Sequence, residues 1–386
     1  MFHRTGIVTV IVFLLLLAAP AARADGGRDF YRRLEGDIGG NLGIVMHLTQ
    51  DGDNVSGWYY YLSRRETLFL KGKASADDGS LTLFEFPRGV DRGNDKARTG
   101  EFHGAWEWKD AGKTVQLRGT WRSPDGKKRF PFSLRESYGG DSVALTPVSL
   151  ACAQSTNAAV DDPPRAEADL RLLYPQSFPD RNVLARLRKT YADPYPDDPG
   201  RALQRVCDRF FTEHRAAAAE ADDDLSSPMY QWSLSQTRSV ILNDRGFLCQ
   251  DMAVYTFTGG AHGNYADDFK ISDLATGKEI TAADILAPPA RPRLADLVKN
   301  KARELLRQRI RESQGSEPDA DQMEGAFLED DFKLTNNVYI AIDGLGFYYN
   351  IYEITPYVLG PVDVFLTWAE VKAYLRPDSP LQRLVK

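Results

Sequence analysis

From Gly36 to Glu136 apolar and polar residues alternate in short runs, each closed by a turn signal. Ile44-Val45-Met46-His47-Leu48 ends at Asp51-Gly52, and Val55 to Leu62 follows. Leu81 to Phe86 follows Asp77-Asp78-Gly79, and Phe102 to Trp108 turns at Asp110-Ala111-Gly112. Val115 to Trp121 turns at Pro124-Asp125-Gly126, and Phe130 to Leu134 closes the set. A side-chain period of two broken by Asp-Gly turns predicts an all-β antiparallel meander over residues 30–140, a small barrel or a sandwich. Trp58, Tyr59, Tyr60 and Tyr61 are consecutive, so alternate members must face opposite sides of their strand. His47 and His103 stand singly on strands, as surface or hydrogen-bonded core residues.

The alternation fails after Tyr138. Gly139-Gly140, Ser155 to Ala159 and Asp161-Asp162-Pro163-Pro164 are small, polar or turn-forming, so residues 141–165 read as a linker to a second domain over 166–378. Ala168 to Tyr174 reads as a strand, and Val183 to Thr190 and Ala202 to Glu220 as helices. In the second helix Leu203, Val206, Cys207, Phe210 and Phe211 recur at helical spacing, with His214 toward the polar side. Asp222-Asp223-Asp224 beyond it reads as a solvated turn, too sparse in ligands for a calcium loop.

Tyr230 to Leu242 and Phe247 to Phe257 flank Asn243-Asp244-Arg245-Gly246 and predict a long hairpin, followed by a strand from Phe269 to Leu274. Thr281 with Asp284 marks the start of a short helix. A longer one begins at Pro292 and carries Leu294, Leu297, Val298, Leu305, Leu306 and Ile310 inward. Its outward face bears Lys299, Lys301, Arg303, Arg307 and Arg309 and reads as solvated. Phe332 to Ile342, Leu345 to Tyr352 and Val362 to Thr367 read as strands. Thr367 with Glu370 opens a last helix from Trp368 to Leu375. Antiparallel hairpins with packed helices make the second domain α+β.

Two stretches carry the candidate chemistry. The strand Tyr255 to Phe257 breaks into Gly259-Gly260-Ala261-His262-Gly263-Asn264, a bent loop around a single histidine. The second is Phe347-Tyr348-Tyr349-Asn350, continued by Tyr352, Glu353 and Tyr357. Phe347 and Tyr349 point one way and Tyr348 and Asn350 the other. One set is core; the other, with Tyr352 and Tyr357, suits a tyrosine-lined recognition surface. The expected binding set is Gly259, Gly260, His262, Gly263, Asn264, Tyr348, Asn350, Tyr352, Glu353 and Tyr357. His262 is the best single candidate for acid–base work, with Glu353 as its partner if the stretches meet. The competing reading has this pair only pinning two loops. The chain has no nucleophile elbow, zinc-protease helix or metal-spaced histidines, so neither a metal nor a cofactor is expected.

Four features in order resemble a domain of unknown function: the Gly259–Gly263 loop, Asp273 to Lys278 with Asp284 beyond, Phe347 to Asn350, and Tyr352 to Gly360. That domain is the extracytoplasmic, lysozyme-binding part of RsiV-type anti-sigma factors and an accessory part of PdaC-type peptidoglycan deacetylases. The resemblance spans about residues 165–375. The chain departs from the pattern with Ile351 where a proline is expected, and it has no sigma-binding segment and no deacetylase domain. The resemblance therefore implies an extracytoplasmic binding module rather than an anti-sigma factor or a deacetylase.

Composition fits that setting. Arg4, the apolar run Ile7 to Ala19 and Ala22-Arg23-Ala24 form a secretory signal over residues 1–24, so the mature chain begins at Asp25, with no membrane span after cleavage and a periplasmic or secreted location. A net charge of −6 with Lys and Arg scattered along the chain offers no electrostatic footprint for nucleic acid. Of Cys152, Cys207 and Cys249, one pair is expected to close after export. Sequence does not fix which; Cys207 with Cys249 is favoured because both lie inside the second domain. The expected function is a non-enzymatic module binding a cell-wall glycan or a muramidase-like protein. The alternatives are a polysaccharide hydrolase working through His262 and Glu353, and a structural envelope protein without a ligand.

Overall fold

The computed structural model describes residues 29–75, 78–109, 114–155, 163–220, 228–327 and 332–385. The signal, the Asp110-Ala111-Gly112 turn and the Asp222–Asp224 run lie outside them. Strands β1 (Phe30–Ile38), β2 (Leu42–Asp51), β3 (Asn54–Tyr61), β4 (Leu68–Ala74), β5 (Ser80–Pro87), β6 (Gly100–Lys109), β7 (Thr114–Arg122) and β8 (Arg129–Glu136) pair antiparallel in sequence order. β8 returns to β1, with Gly36 opposite Leu134, so the meander is a closed barrel without an open edge. Its interior is filled by inward members of each alternation, among them Leu34, Met46, Tyr59, Leu83, Phe102 and Leu117.

The second unit begins earlier than the sequence suggests. β9 (Ala144–Ser155), inside the stretch read as linker, pairs along its length with β10 (Arg165–Ser177). Pro147 and the small residues around it blur its alternation, and its position at the sheet edge is where a proline is tolerated. After α1 (Arg181–Ala192) and α2 (Pro199–Ala219) come β11 (Gln231–Asp244), β12 (Phe247–Phe257), β13 (Asn264–Asp273) and β14 (Lys278–Ile280). The six-stranded sheet runs β14-β13-β12-β11-β10-β9, with β10 and β11 parallel. α3 (Ala282–Ile285), α4 (Arg291–Gln314) and α5 (Ala320–Gly325) lead to β15 (Val338–Ala341), β16 (Gly344–Tyr349) and β17 (Val362–Thr367), a three-stranded antiparallel sheet. α6 (Trp368–Val371) and α7 (Gln382–Val385) close the described chain. The unit is α+β, as its patterning predicts. Both expected capping boxes form, at Thr281/Asp284 and Thr367/Glu370. The stretch Phe332 to Ile342 is regular only at β15, and the last helix ends early in a 3-10 turn.

The large sheet separates two apolar cores. On one face α1 and α2 lay Val183, Leu187, Leu203 and Phe210 over Leu170 and Leu172. On the other, Leu242, Phe247 and Ile271 meet the small sheet and α4. α4 contributes Leu294, Val298, Ala302, Leu306 and Ile310, a four-residue repeat that makes one buried stripe.

This layering corrects two expectations. Cys249 lies in the α4-side core, across the sheet from Cys207, so these two cannot meet. Cys207 instead bonds Cys152 of β9, with Cα atoms 6.6 Å apart. Cys249 remains a buried thiol, its pKa pushed up to about 12 by burial. His214, expected on the polar side of its helix, is fully buried. It sits four residues after Phe210 and three after Phe211, on the same stripe, with Nε2 2.9 Å from the Tyr230 carbonyl oxygen.

Barrel and second unit share a core. Trp58 and Tyr60, the outward members of the aromatic run, join the α4-side cluster, while Tyr59 fills the barrel. The junction is strongly polar for a buried surface. Arg33 pairs with Asp244 at 3.1 Å, both 2 % exposed, and Asp244 also accepts from the Tyr60 hydroxyl. Asn243 donates to the Tyr31 hydroxyl at 3.0 Å, and that hydroxyl is 2.7 Å from His47 Nδ1. The His47 ring stacks on Trp58 at 3.8 Å. Burial, then the Arg33 charge, hold its pKa well below the ordinary value, so it is neutral.

Candidate functional site

The turn between β12 and β13 and the segment after β16 meet at one end of the large sheet. The turn is bent tightly. Gly259 has φ +92°, and a Cβ there would lie 2.7 Å from the Met229 carbonyl oxygen. At Gly263 a Cβ would overlap the Tyr255 ring, so the loop folds flat over that tyrosine. Gly260, also at positive φ, and Asn264, which opens β13 opposite Thr256, complete the turn. His262 projects from it, exposed. Its Nδ1 lies 2.9 Å from the Gly263 carbonyl oxygen and so carries the proton in the neutral ring. That leaves Nε2 to accept from the Tyr352 hydroxyl at 3.4 Å.

His262 stacks on Tyr357 with ring centres 3.9 Å apart, and Tyr265 and Tyr352 lie 5.8 and 5.9 Å from the same tyrosine. The two sequence stretches therefore meet through aromatic rings. Glu353 is exposed, and its backbone N–H donates to the Asn350 carbonyl at 3.1 Å. The hydrogen bonds of His262 among the described residues go to Gly263 and Tyr352, not to Glu353. Tyr352 is 53 % exposed and has φ +67°, a left-handed conformation that bulky residues rarely adopt. Val358, 86 % exposed, projects from the adjoining turn. Arg309 of α4 anchors that turn by donating to the Leu359 and Pro361 carbonyls.

The remaining two members of the set lie elsewhere. Phe347 and Tyr349 are core, so Tyr348 and Asn350 face the large sheet. Most of β13 has no strand beyond it, and side-chain amides take a strand's place there. Asn350 accepts from the Asp267 N–H at 2.8 Å and donates to its carbonyl at 3.2 Å. Asn337 donates to the same carbonyl at 2.8 Å and accepts from the Phe269 N–H at 3.2 Å. Asn350 is thus a splice between the two sheets. The Tyr348 hydroxyl donates to Asp267 Oδ2 at 2.5 Å.

Around Tyr348 the structure assembles carboxylates that the sequence reading missed. Desolvation, then the nearby Asp267 charge, raise Asp251 to about 7. Desolvation raises Asp363 to about 6, against a lowering hydrogen bond from Tyr339. The available signal was an aspartate inside an otherwise apolar alternation, as in Val362-Asp363-Val364.

An α+β unit bearing an exposed aromatic tip and fronted by a closed barrel defines the class of protein. The family comparisons make it specific. Residues 165–265 match the family model described as deacetylase PdaC, and residues 283–369 match the one described as a protein of unknown function, DUF3298. The second unit is thus similar to the PdaC model over its first part and to the DUF3298 model over its second. His262 comes from the first, and Tyr352 and Tyr357 from the second, so the tip is built across their seam. No curated protein matches the chain. The crystal structure of a DUF3298 family member from Bacteroides fragilis NCTC 9343 shares the fold, with TM-score 0.51 at 20 % identity, over 63 % of this chain and 98 % of that one. A DUF3298 family protein from Pseudomonas aeruginosa PAO1 aligns over 62 % of this chain and 98 % of its own at 20 % identity, with TM-score 0.41.

Proposed function

We propose that this is an exported, non-enzymatic binding protein that docks a cell-envelope partner, a peptidoglycan fragment or a muramidase-like protein, on the tip formed by His262, Tyr265, Tyr352, Tyr357 and Val358. The observation that carries this reading is Tyr352, which is held exposed in a strained backbone conformation beside stacked rings. A core requires no such arrangement, whereas aromatic side chains with a free face and an anchored base suit an interface. The similarity to the PdaC model supports the envelope setting, and the leader sequence supports a periplasmic or secreted location. No described helix is long and apolar enough to cross a membrane.

The test is saturable binding of the mature protein to purified peptidoglycan and to lysozyme, without release of soluble fragments. Tyr352→Ala and Tyr357→Ala are each expected to weaken binding about tenfold or more. Release of fragments that His262→Ala abolishes would overturn this reading in favour of a hydrolase using His262 and Glu353.

A further inference from the structure

Beside the packed junction, barrel and sheet leave an open cleft of about 350 Å³ between them. Phe69 and Arg88 wall it on the barrel side, with an edge of Trp58. Phe269, Asp251 and Asp267 wall it on the sheet side, and Tyr339, Tyr348 and Asp363 close it from the small sheet. Three separate structural layers therefore converge on one space of ligand size.

The polar groups facing it are held in place by one another. Tyr348 fixes Asp267, whose backbone is spliced to Asn337 and Asn350. The Tyr339 hydroxyl lies 2.9 Å from both oxygens of Asp363. Arg88 donates to Asp343 at 2.9 Å, and its guanidinium lies 3.7 Å over the Phe365 ring. Asp251 also lines the cavity, its carboxyl group set against Asp267 and Ser239.

Charge and shape narrow the ligand. Arg88 and Arg92 face Asp251, Asp267 and Asp363, with Asp343 also on Arg88, and burial pushes Asp251 and Asp363 toward the neutral acid, so the cavity is no site for a simple anion. What it offers is rigid carboxylate acceptors, the Arg88 and Arg92 guanidinium groups, and apolar ring faces. That set matches the alternating hydroxyl edge and C–H face of a sugar ring.

We propose that the cleft between barrel and sheet is a binding site for a neutral mono- or disaccharide, its ring against Phe69 or Phe269 and its hydroxyls on Asp251, Asp267, Asp363 and Arg88. This site is separate from the tip and stands without it.

Calorimetric titration of the full mature chain tests it, with glucose, N-acetylglucosamine, maltose and the β-1,4 dimer of N-acetylglucosamine as probes and glucosamine as the cationic control. At least one neutral sugar is expected to bind with a millimolar or lower dissociation constant. Tyr348→Phe and Asp363→Asn, checked for unchanged melting, are each expected to weaken it at least tenfold, while Tyr352→Ala leaves it unchanged. Stronger binding of a disaccharide than of its monomer identifies a glycan-chain end as the source, and equal binding a free sugar; both support the site. No binding by any neutral probe, tighter binding of glucosamine, or affinity that follows Tyr352 rather than Tyr348 and Asp363 would overturn it.

Discussion

The tip and the cleft use the same residue type in opposite ways. At the tip, Tyr352 is 53 % exposed and Tyr357 stacks on His262, and the one hydroxyl contact to His262 among the described residues is long, at 3.4 Å. In the cleft, Tyr339 and Tyr348 spend their hydroxyls on aspartates at 2.9 and 2.5 Å, and burial with those charges raises both phenols far above their ordinary range. A tyrosine whose hydroxyl is fixed positions a neighbour; one whose face is free offers contact area. The tip suits a surface partner and the cleft a small ligand, for this reason rather than because of the residues' names.

The comparison can be broken most forcefully at the junction that holds the cleft walls together. Asp244→Ala removes one of the two carboxylates on buried Arg33, which keeps Glu35, and leaves Tyr60 without its acceptor. It is expected to cost about 2–4 kcal/mol of stability, read as a lower midpoint in urea unfolding. Tyr60→Phe, which keeps the Arg33 pair, is expected to cost far less.

Asn350→Ala tests the element that lies between the two sites. It exposes one N–H and weakens the hold on one carbonyl at the β13 edge, for about 1–3 kcal/mol. Amide hydrogen exchange at Asp267 is expected to accelerate with it. Unchanged exchange would mean that the splice does not hold the edge.

The smallest effect concerns Asp251. Its folded pKa lies above that of the unfolded chain, so the native state binds the proton more tightly, and stability falls as pH rises from about 4 to about 7. Asp251→Asn removes that penalty and is expected to stabilise the protein by about 1–2 kcal/mol at pH 8, with little gain at pH 4. Thermal melts across this range decide it; equal gains at both pH values would show that charge is not the cause. Tip binding is expected to stay unchanged.

Much of the fold is legible in the chain because its signals are local. The barrel follows from period-two alternation and Asp-Gly turns, and the β11–β12 hairpin from apolar runs on either side of Asn243 to Gly246. β9 was not legible: with Pro147 and few large apolar residues it is a strand only because β10 lies beside it. His214 was misread because a histidine on an apolar stripe looks polar until Tyr230 supplies its acceptor. At the candidate site the sequence marked both stretches but not their partners. It offered Glu353 as the partner of His262 if the stretches met, and the hydrogen bonds and ring contacts of His262 go to Gly263, Tyr352 and Tyr357.

By itself the sequence determined the barrel strands, most other strands and helices, two capping boxes and the two stretches that meet at the tip, since each depends on neighbours a few residues away. Tertiary structure decided which face each side chain meets: Cys152 rather than Cys249 opposite Cys207, Asn350 on the β13 backbone, and three aspartates from separate strands around one cavity. Those outcomes depend on which sheet face a residue shares with residues up to hundreds of positions away, and no local pattern records that.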